Sequence, residues 1–322
     1  MSIVLKNKKI FIAGHKGMVG ESLLLCLKKQ NIKKIITIDR KFLDLTSEKQ
    51  VEKFIQRKKP DIIINCAGKV GGIFANSTYP VEFLHDNIAI QLNLTKTAYK
   101  NNVKHYINLG SSCIYPKNSK QPMKEKYLLT SELEKTNEAY ALAKIIGLKA
   151  CQFYNIQYKT KYFTLLPCNL YGPNDNFDPK NSHFIPALIR KFVTANKKKI
   201  KNVEIWGSGK PMREIMHVND LALAIIFVLE KKISNDKKFN KFLEENSVIN
   251  VGSGFEISIK EFAKRIANLT DNNSNLLFNT KLPDGTKRKI LDNSIMKKMG
   301  WRSKISLNKG LTETINWFKA NY

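Results

Sequence analysis

The chain has no CxxC pair, no long apolar run and no internal repeat. Its five cysteines, Cys26, Cys66, Cys113, Cys151 and Cys168, are odd in number and lie inside apolar segments, so neither a disulfide framework nor a metal site is expected, and a reducing cytoplasm fits them best. The longest apolar run, Leu221 to Leu229, is too short to span a bilayer. The opening "MSIVLKNKKIFIAG" places no long apolar region behind a basic leader, so no targeting segment is expected. Acidic residues are also scarce, 27 against 55 basic ones, for a net charge of +28. Such an excess raises nucleic acid, a membrane surface or an anionic small ligand as partner. The basic residues fall in short clusters, Lys6 to Lys9, Arg57 to Lys59, Lys197 to Lys201, Lys231 to Lys241 and Lys287 to Lys289, and form no single tract. That distribution reads as a solvated surface rather than a nucleic-acid footprint.

What is present suits a globular protein. A chain of 322 residues, 43% apolar and 25% charged, can bury a sizeable core in one large domain or two unequal ones. Short β-rich runs at Ile10 to Ala13, Ile35 to Ile38, Ile62 to Asn65, Tyr106 to Leu109 and Phe163 to Leu166 alternate with amphipathic stretches at Met18 to Lys29, Ser47 to Arg57, Pro80 to Lys100 and Glu138 to Tyr158. The alternation predicts βαβ units: an α/β, Rossmann-like, doubly wound parallel sheet. After "LLPCNLYGPND" the rhythm breaks, which predicts a smaller α/β substrate-binding lobe at the C-terminal end. The nucleotide-binding domain is expected to hold residues 1–172, with 217–251 and the C-terminal helix returning to it, and the lobe to hold 173–216 and 252–310. The polar stretch at 231–246, "KKISNDKKFNKFLEEN", reads as a surface loop or insertion.

In "KIFIAGHKGMVGESLLLCL", Gly14, Gly17 and Gly20 fall between the first strand and the first helix. Small residues there allow a tight turn, close approach of the backbone to a pyrophosphate, and close packing of helix on sheet. The GxxGxxG spacing resembles the extended short-chain dehydrogenase/reductases that act on nucleotide sugars. "INCAG", residues 64 to 68, extends the resemblance and implies that Ala67 borders the cofactor together with Lys16, Met18 and the glycines, with Asp44 near the adenine. At the end of the second strand an acid can accept from a ribose hydroxyl and a base can pair with a 2′-phosphate. Asp39-Arg40 supplies both, so NAD stays open beside NADP.

Tyr140 and Lys144, in "NEAYALAKIIG", lie four apart on a helical segment and share one face. A neighbouring ammonium is expected to lower the phenol pKa from its reference of about 10. In "GSSCIYP", Ser111 and Cys113 are two apart at the end of the fourth strand, and strand alternation would point them the same way. A thiol with a reference pKa of about 8.5 can trade protons, whereas most buried cysteines are inert packing, the reading given to the other four. His183, in "NSHFIPALIRKF", is a second candidate proton carrier.

The motifs "GSSCIYP", "QPMKEKYL", "TNEAYALAKI", "CNLYGPNDNF", "NSHFIPALIRKF", "WGSGKPMREIMHVND" and "PDGTKRKILD" resemble the GDP-L-fucose synthase family along nearly the whole chain. The resemblance implies NADP as cofactor, a GDP-4-keto-6-deoxy-mannose-type substrate, a homodimer and no membrane or nucleic-acid partner. It assigns Ser111, Tyr140 and Lys144 to carbonyl chemistry at C4 and Cys113 and His183 to epimerisation at C3 and C5, with the order of base and acid open. It places Asn169 near the sugar or nicotinamide, and Lys191, Trp206, Arg213 and Lys289 against the nucleotide and diphosphate. Where the family carries two arginines after the histidine, this chain has Arg190-Lys191, losing one planar fork. The competing expectations are a C4 reductase of a related GDP-4-keto sugar such as a heptose, a UDP-hexose 4-epimerase, and a nonenzymatic binding protein on the same fold.

Overall fold

The computed structural model describes residues 4–179, 181–234, 236–282 and 284–322. In chain order its regular elements are β1 Ile10–Ala13, α1 Met18–Lys29, β2 Ile35–Ile36, α2 Glu48–Lys58, β3 Ile62–Asn65, α3 Ile73–Thr78, α4 Pro80–Lys100, β4 His105–Leu109, α5 Glu138–Tyr158, β5 Phe163–Pro167 and β6 Asn169–Tyr171. They continue with α6 Phe184–Lys197, β7 Asn202–Trp206, β8 Met212–His217, α7 Val218–Ile233, α8 Lys237–Asn246, β9 Val248–Val251 and β10 Glu256–Ser258. The last are α9 Ile259–Leu269, β11 Asn275–Asn279, β12 Arg288–Lys289, α10 Ser294–Lys298 and α11 Leu307–Asn321.

The main sheet runs β2-β1-β3-β4-β5-β9, every pairing parallel. Its strands are apolar on both faces because helices cover both. Period-two alternation sorts them: Ile10, Ile12, Ile62 and Ile64 enter the core shared with α1 and α7, and Phe11, Ala13 and Ile63 enter the core shared with α2 and α4. The strand order reverses between β1 and β3, and a ligand crevice is expected outside the carboxyl ends of strands at that point. The second strand is shorter than its sequence suggests, Ile35–Ile36 in place of Ile35 to Ile38.

A second core joins α6, α9 and α11 to β7, β8 and β10, through Ile185, Phe192, Ile205, Phe262, Leu311 and Phe318 among others. The C-terminal helix, expected on the main sheet, therefore packs on the smaller lobe. Phe318 closes against Phe177 at a ring separation of 4.7 Å, which fixes α11 there. Conversely Leu291, Met296 and Trp301, expected within the lobe, belong to the main core. The polar stretch at 231–246 is also corrected. It is the end of α7 and the helix α8, apart from Asn235, which lies outside the described residues, and it is held by Phe239 buried edge-on to Phe163. Lysine-rich composition hid an amphipathic helix that sets Phe239 and, in part, Phe242 against the main core.

One buried cation lies at the opposite end of the sheet from the crevice. Lys232 Nζ is buried with no hydrogen-bond partner among the described residues and sits 4.7 Å from the Phe163 ring centre. Burial lowers its pKa to about 7. An amine whose pKa is lower folded than unfolded costs stability fully below the folded value, and the cost fades as pH rises towards the unfolded one. Lys232→Met is expected to stabilise the chain by about 2 kcal/mol at pH 6, with the gain shrinking towards pH 10; denaturant melts at the two pH values check this.

Candidate active site

The first turn is shaped by contacts that side chains would obstruct. Gly14 has φ +80°, and a Cβ on it would lie 2.7 Å from the Ala67 backbone, so the ends of β1 and β3 meet without side chains between them. A Cβ on Gly20 would overlap the Gly14 carbonyl oxygen, so α1 begins directly against the turn. Gly17 caps α1 in an extended conformation and offers no side chain to the first-turn amides. Met18 follows as the first helical residue. These uncapped N–H groups at a helix N-terminus suit a pyrophosphate, and the cradle fits a dinucleotide. From the far side, Asn174 Nδ2 donates to the Lys16 carbonyl oxygen at 3.0 Å, tying the loop after β6 to the glycine turn.

Asp39 follows β2 and is engaged by Lys16 Nζ at 2.7 Å and His15 Nε2 at 3.4 Å. The Lys16 hydrogen bond holds its carboxyl below the usual range. Arg40 beside it is exposed. Asp44, expected near the adenine, accepts from Thr46 N at 2.9 Å and Thr46 Oγ1 at 2.8 Å. An aspartate two residues before a threonine closes such a turn locally, a use that the motif did not reveal.

Chemistry gathers at the end of β4. The strand stops at Leu109 and the chain enters a 3₁₀ turn, Ser112–Ile114, capped by Ser111, whose Oγ accepts from Cys113 N at 3.1 Å. Ser111 and Cys113 are thus brought together by this turn rather than by strand alternation. Ser112 is buried. Tyr140 feels both Ser111 and the Cys113 thiol electrostatically, and Cys113 also acts on Arg213.

Lys144, 4% exposed, donates to the Leu109 carbonyl oxygen at 2.8 Å, and its Nζ stands 5.7 Å from the Tyr140 ring centre. Burial lowers its pKa to about 8. The expected lowering of the Tyr140 pKa by Lys144 is absent. Burial pushes the phenol well above its ordinary value, the Cys113 thiol adds to the rise and Ser111 opposes it, while the lysine is turned to the Leu109 carbonyl. Burial likewise raises Cys66 and Cys151 to about 12 and Cys26 and Cys168 above the usual thiol value, in keeping with inert packing.

His183 caps α6 and is exposed, and reduced solvation of its imidazole lowers its pKa. The segment before it lies on the loop after β3, with Gly72 N donating to Asn181 O at 3.0 Å. A Cβ on Gly71 would lie 3.1 Å from the tip of the Phe83 ring, and Phe83 meets Tyr140 edge-on at 6.3 Å. That series of contacts leads from the phenol to the histidine segment. Further along α6, Lys191 Nζ donates to the Glu204 carbonyl oxygen at 2.9 Å and stands 5.9 Å from the ring of Trp206, an indole 62% exposed.

Strand β8 carries Arg213, whose Nη1 donates to the carbonyl oxygens of Met212 at 2.8 Å and Thr286 at 2.7 Å. Lys289 is its register partner on β12 and Asn169 pairs two residues further along, where Asn169 Nδ2 donates to the Glu214 carbonyl oxygen at 2.9 Å. The sequence reading missed Asp284, which accepts from Ser208 N at 2.8 Å and Ser208 Oγ at 2.6 Å and faces Arg213 electrostatically. It also missed a buried amide chain, in which Asn65 Nδ2 donates to Asn108 Oδ1 at 3.0 Å, Asn108 Nδ2 to Gln91 Oε1 at 3.1 Å, and Gln91 Nε2 to Ala143 O at 2.9 Å. The clue was two asparagines ending adjacent apolar strands, with Asn87 and Gln91 four apart on α4.

Residues 10–252 match the model of the NAD dependent epimerase/dehydratase family. A putative GDP-L-fucose synthase 2 of Arabidopsis thaliana is 44% identical over 98% of this chain and 93% of its own length. The GDP-L-fucose synthase of Escherichia coli is 43% identical over 98% of each chain. Among solved structures, a GDP-mannoheptose C4 reductase from Campylobacter jejuni with NADP bound superposes with a TM-score of 0.87 at 36% identity, covering 98% of this chain and 99% of that one. A sheet that reverses at a glycine turn, with a tyrosine and lysine on the helix beside it, thus has relatives of matching length and sequence, and the chain belongs to the NAD dependent epimerase/dehydratase family, among the GDP-L-fucose synthases.

Proposed function

We propose that the protein is a GDP-L-fucose synthase, which epimerises C3 and C5 of GDP-4-keto-6-deoxy-D-mannose and reduces the C4 ketone with NADPH. The observation that carries this reading is the turn at the end of β4, which sets Cys113 against Ser111 through the 3.1 Å bond from Cys113 N to Ser111 Oγ, next to the helix whose Lys144 reaches the Leu109 carbonyl oxygen and lies over the Tyr140 ring. A C4 reduction alone needs the serine, tyrosine and lysine and has no task for a thiol there.

A ketone at C4 acidifies the hydrogens on C3 and C5 only if the developing enolate oxygen is stabilised. Ser111 and Tyr140 donate hydrogen bonds where that charge develops. A phenol raised by burial is a neutral donor, as this task requires. Cys113 and His183 then exchange protons with C3 and C5 on opposite faces of the ring. The lowered His183 pKa leaves the imidazole neutral and able to accept. NADPH, when bound, supplies the hydride that C4 receives. Tyr140 protonates the resulting alkoxide, and Lys144, with a pKa of about 8, supports the nicotinamide ribose and replenishes the proton.

Gly14, Gly17, Met18, Gly20 and Ala67 hold the dinucleotide, with Lys16, Asp39 and Arg40 at its ribose end and Asn169 towards the nicotinamide. Arg213 and Lys289 meet the diphosphate, Lys191 adds a point charge, and Trp206 offers its exposed face to the base. Free cysteines throughout fit a reducing cytoplasm. A homodimer is supported by apolar side chains left exposed on α4 and α5, Leu92, Phe153 and Ile156 among them. The second reading, C4 reduction of a GDP-4-keto heptose without epimerisation, is favoured by the likeness to the heptose reductase.

With GDP-4-keto-6-deoxy-mannose and NADPH, product NMR is expected to show GDP-L-fucose from the wild type. Cys113→Ser is expected to lower its formation at least a hundredfold while direct C4 reduction persists; equal loss of both activities would contradict the assigned roles. Light scattering is expected to return about twice the 36.9 kDa of one chain, and a mass of one chain would remove the dimer.

A further inference from the structure

The ribose end of the nucleotide cradle contains an internal ion pair that a simple NADP site does not require. Asp39 lies where the chain leaves β2 and starts a tight turn, its carbonyl oxygen accepting from Phe42 N at 2.9 Å and Leu43 N at 3.1 Å. That turn fixes the side chain towards the glycine loop, where Lys16 Nζ reaches it at 2.7 Å and His15 Nε2 at 3.4 Å. The ammonium that could receive a 2′-phosphate is therefore already engaged by a carboxylate.

The two dinucleotides meet this pair differently. A 2′-phosphate brings two negative charges beside Asp39 and must draw Lys16 away from it, so part of its attraction to Lys16 and Arg40 is offset by repulsion. A 2′-hydroxyl needs only an acceptor. An ionised carboxylate has about four lone-pair sites, so Asp39 can keep Lys16 on one oxygen and accept the hydroxyl on the other. The ion pair can stay intact with NAD and must be rearranged with NADP.

We propose that Asp39 sets cofactor choice by competing with the 2′-phosphate for Lys16, so that this chain binds NAD and NADP with comparable affinity. The proposal rests on the dinucleotide reading given above and deepens it. Asp39 acts here as a specificity-determining residue, and the basic pair Lys16 and Arg40 preserves NADP binding that the acid alone would abolish.

The test is calorimetric titration of the full chain with NADP+, NAD+, 2′,5′-ADP and 5′-AMP at a fixed ionic strength of about 0.15 M, where nonspecific attraction of anions is screened. In the wild type the dissociation constants of NADP+ and NAD+ are expected to lie within tenfold of each other. Asp39→Ala is expected to tighten NADP+ and 2′,5′-ADP at least fivefold and to weaken NAD+ and 5′-AMP at least fivefold. Asp39→Asn keeps the size, removes the charge and should move the ratio in the same direction, which covers the case of a poorly folded alanine variant. A wild-type preference beyond tenfold for either dinucleotide, or a ratio within twofold of wild type in both variants, would overturn the proposal. Failure of every nucleotide to bind the wild type would instead overturn the cofactor reading itself.

Discussion

The hydrogen bond from Lys144 Nζ to the Leu109 carbonyl oxygen sets the geometry of the site. It joins α5 to the last residue of β4, so the side chain one turn earlier on the same face, Tyr140, reaches the turn that starts two residues after Leu109. A lysine 4% exposed would be costly without this bond. The neighbouring turn of α5 is held independently, since Gln91 from α4 donates to the Ala143 carbonyl oxygen. The helix is thus fixed from the sheet side and from α4, and the phenol position follows from both.

Burial, rather than charge pairing, governs the protonation of the pocket. It raises Tyr140 and lowers Lys144, favouring the neutral form of each group. A pocket of neutral donors and acceptors suits a reaction whose charge develops on the substrate, because the hydrogen bonds strengthen only as the enolate or alkoxide forms. Arg213 supplies positive charge nearby, its guanidinium directed by two backbone carbonyls on the lobe. Arg213 and His183 thus belong to the lobe, whereas Ser111, Cys113, Tyr140 and Lys144 belong to the main sheet and its helix α5.

Much of this was legible in the sequence. The apolar runs gave four of the five early strands within a residue, and the glycine spacing placed the turn whose backbone touches Ala67. Residues that act through long-range contacts were harder to read. Asp284 and the Asn65–Asn108–Gln91 chain have meaning only once distant segments meet, and the asparagines in the apolar strands are the sole local hint of the chain. Asp44 and the Tyr140–Lys144 pair show the converse: a motif fixes residue types, but local hydrogen bonds decide where a carboxylate or an ammonium points. The helix at 237–246 was obscured because its lysines dominate the composition while Phe239 and Phe242 pack it on the core.

The central claim is that one pocket holds proton carriers able to work on C3 and C5 without hydride transfer. Incubating the protein with GDP-4-keto-6-deoxy-mannose in deuterium oxide, with NADP+ present and no NADPH, isolates that step. The account predicts deuterium at both C3 and C5 by NMR and mass spectrometry. A substrate recovered with neither position labelled would contradict it.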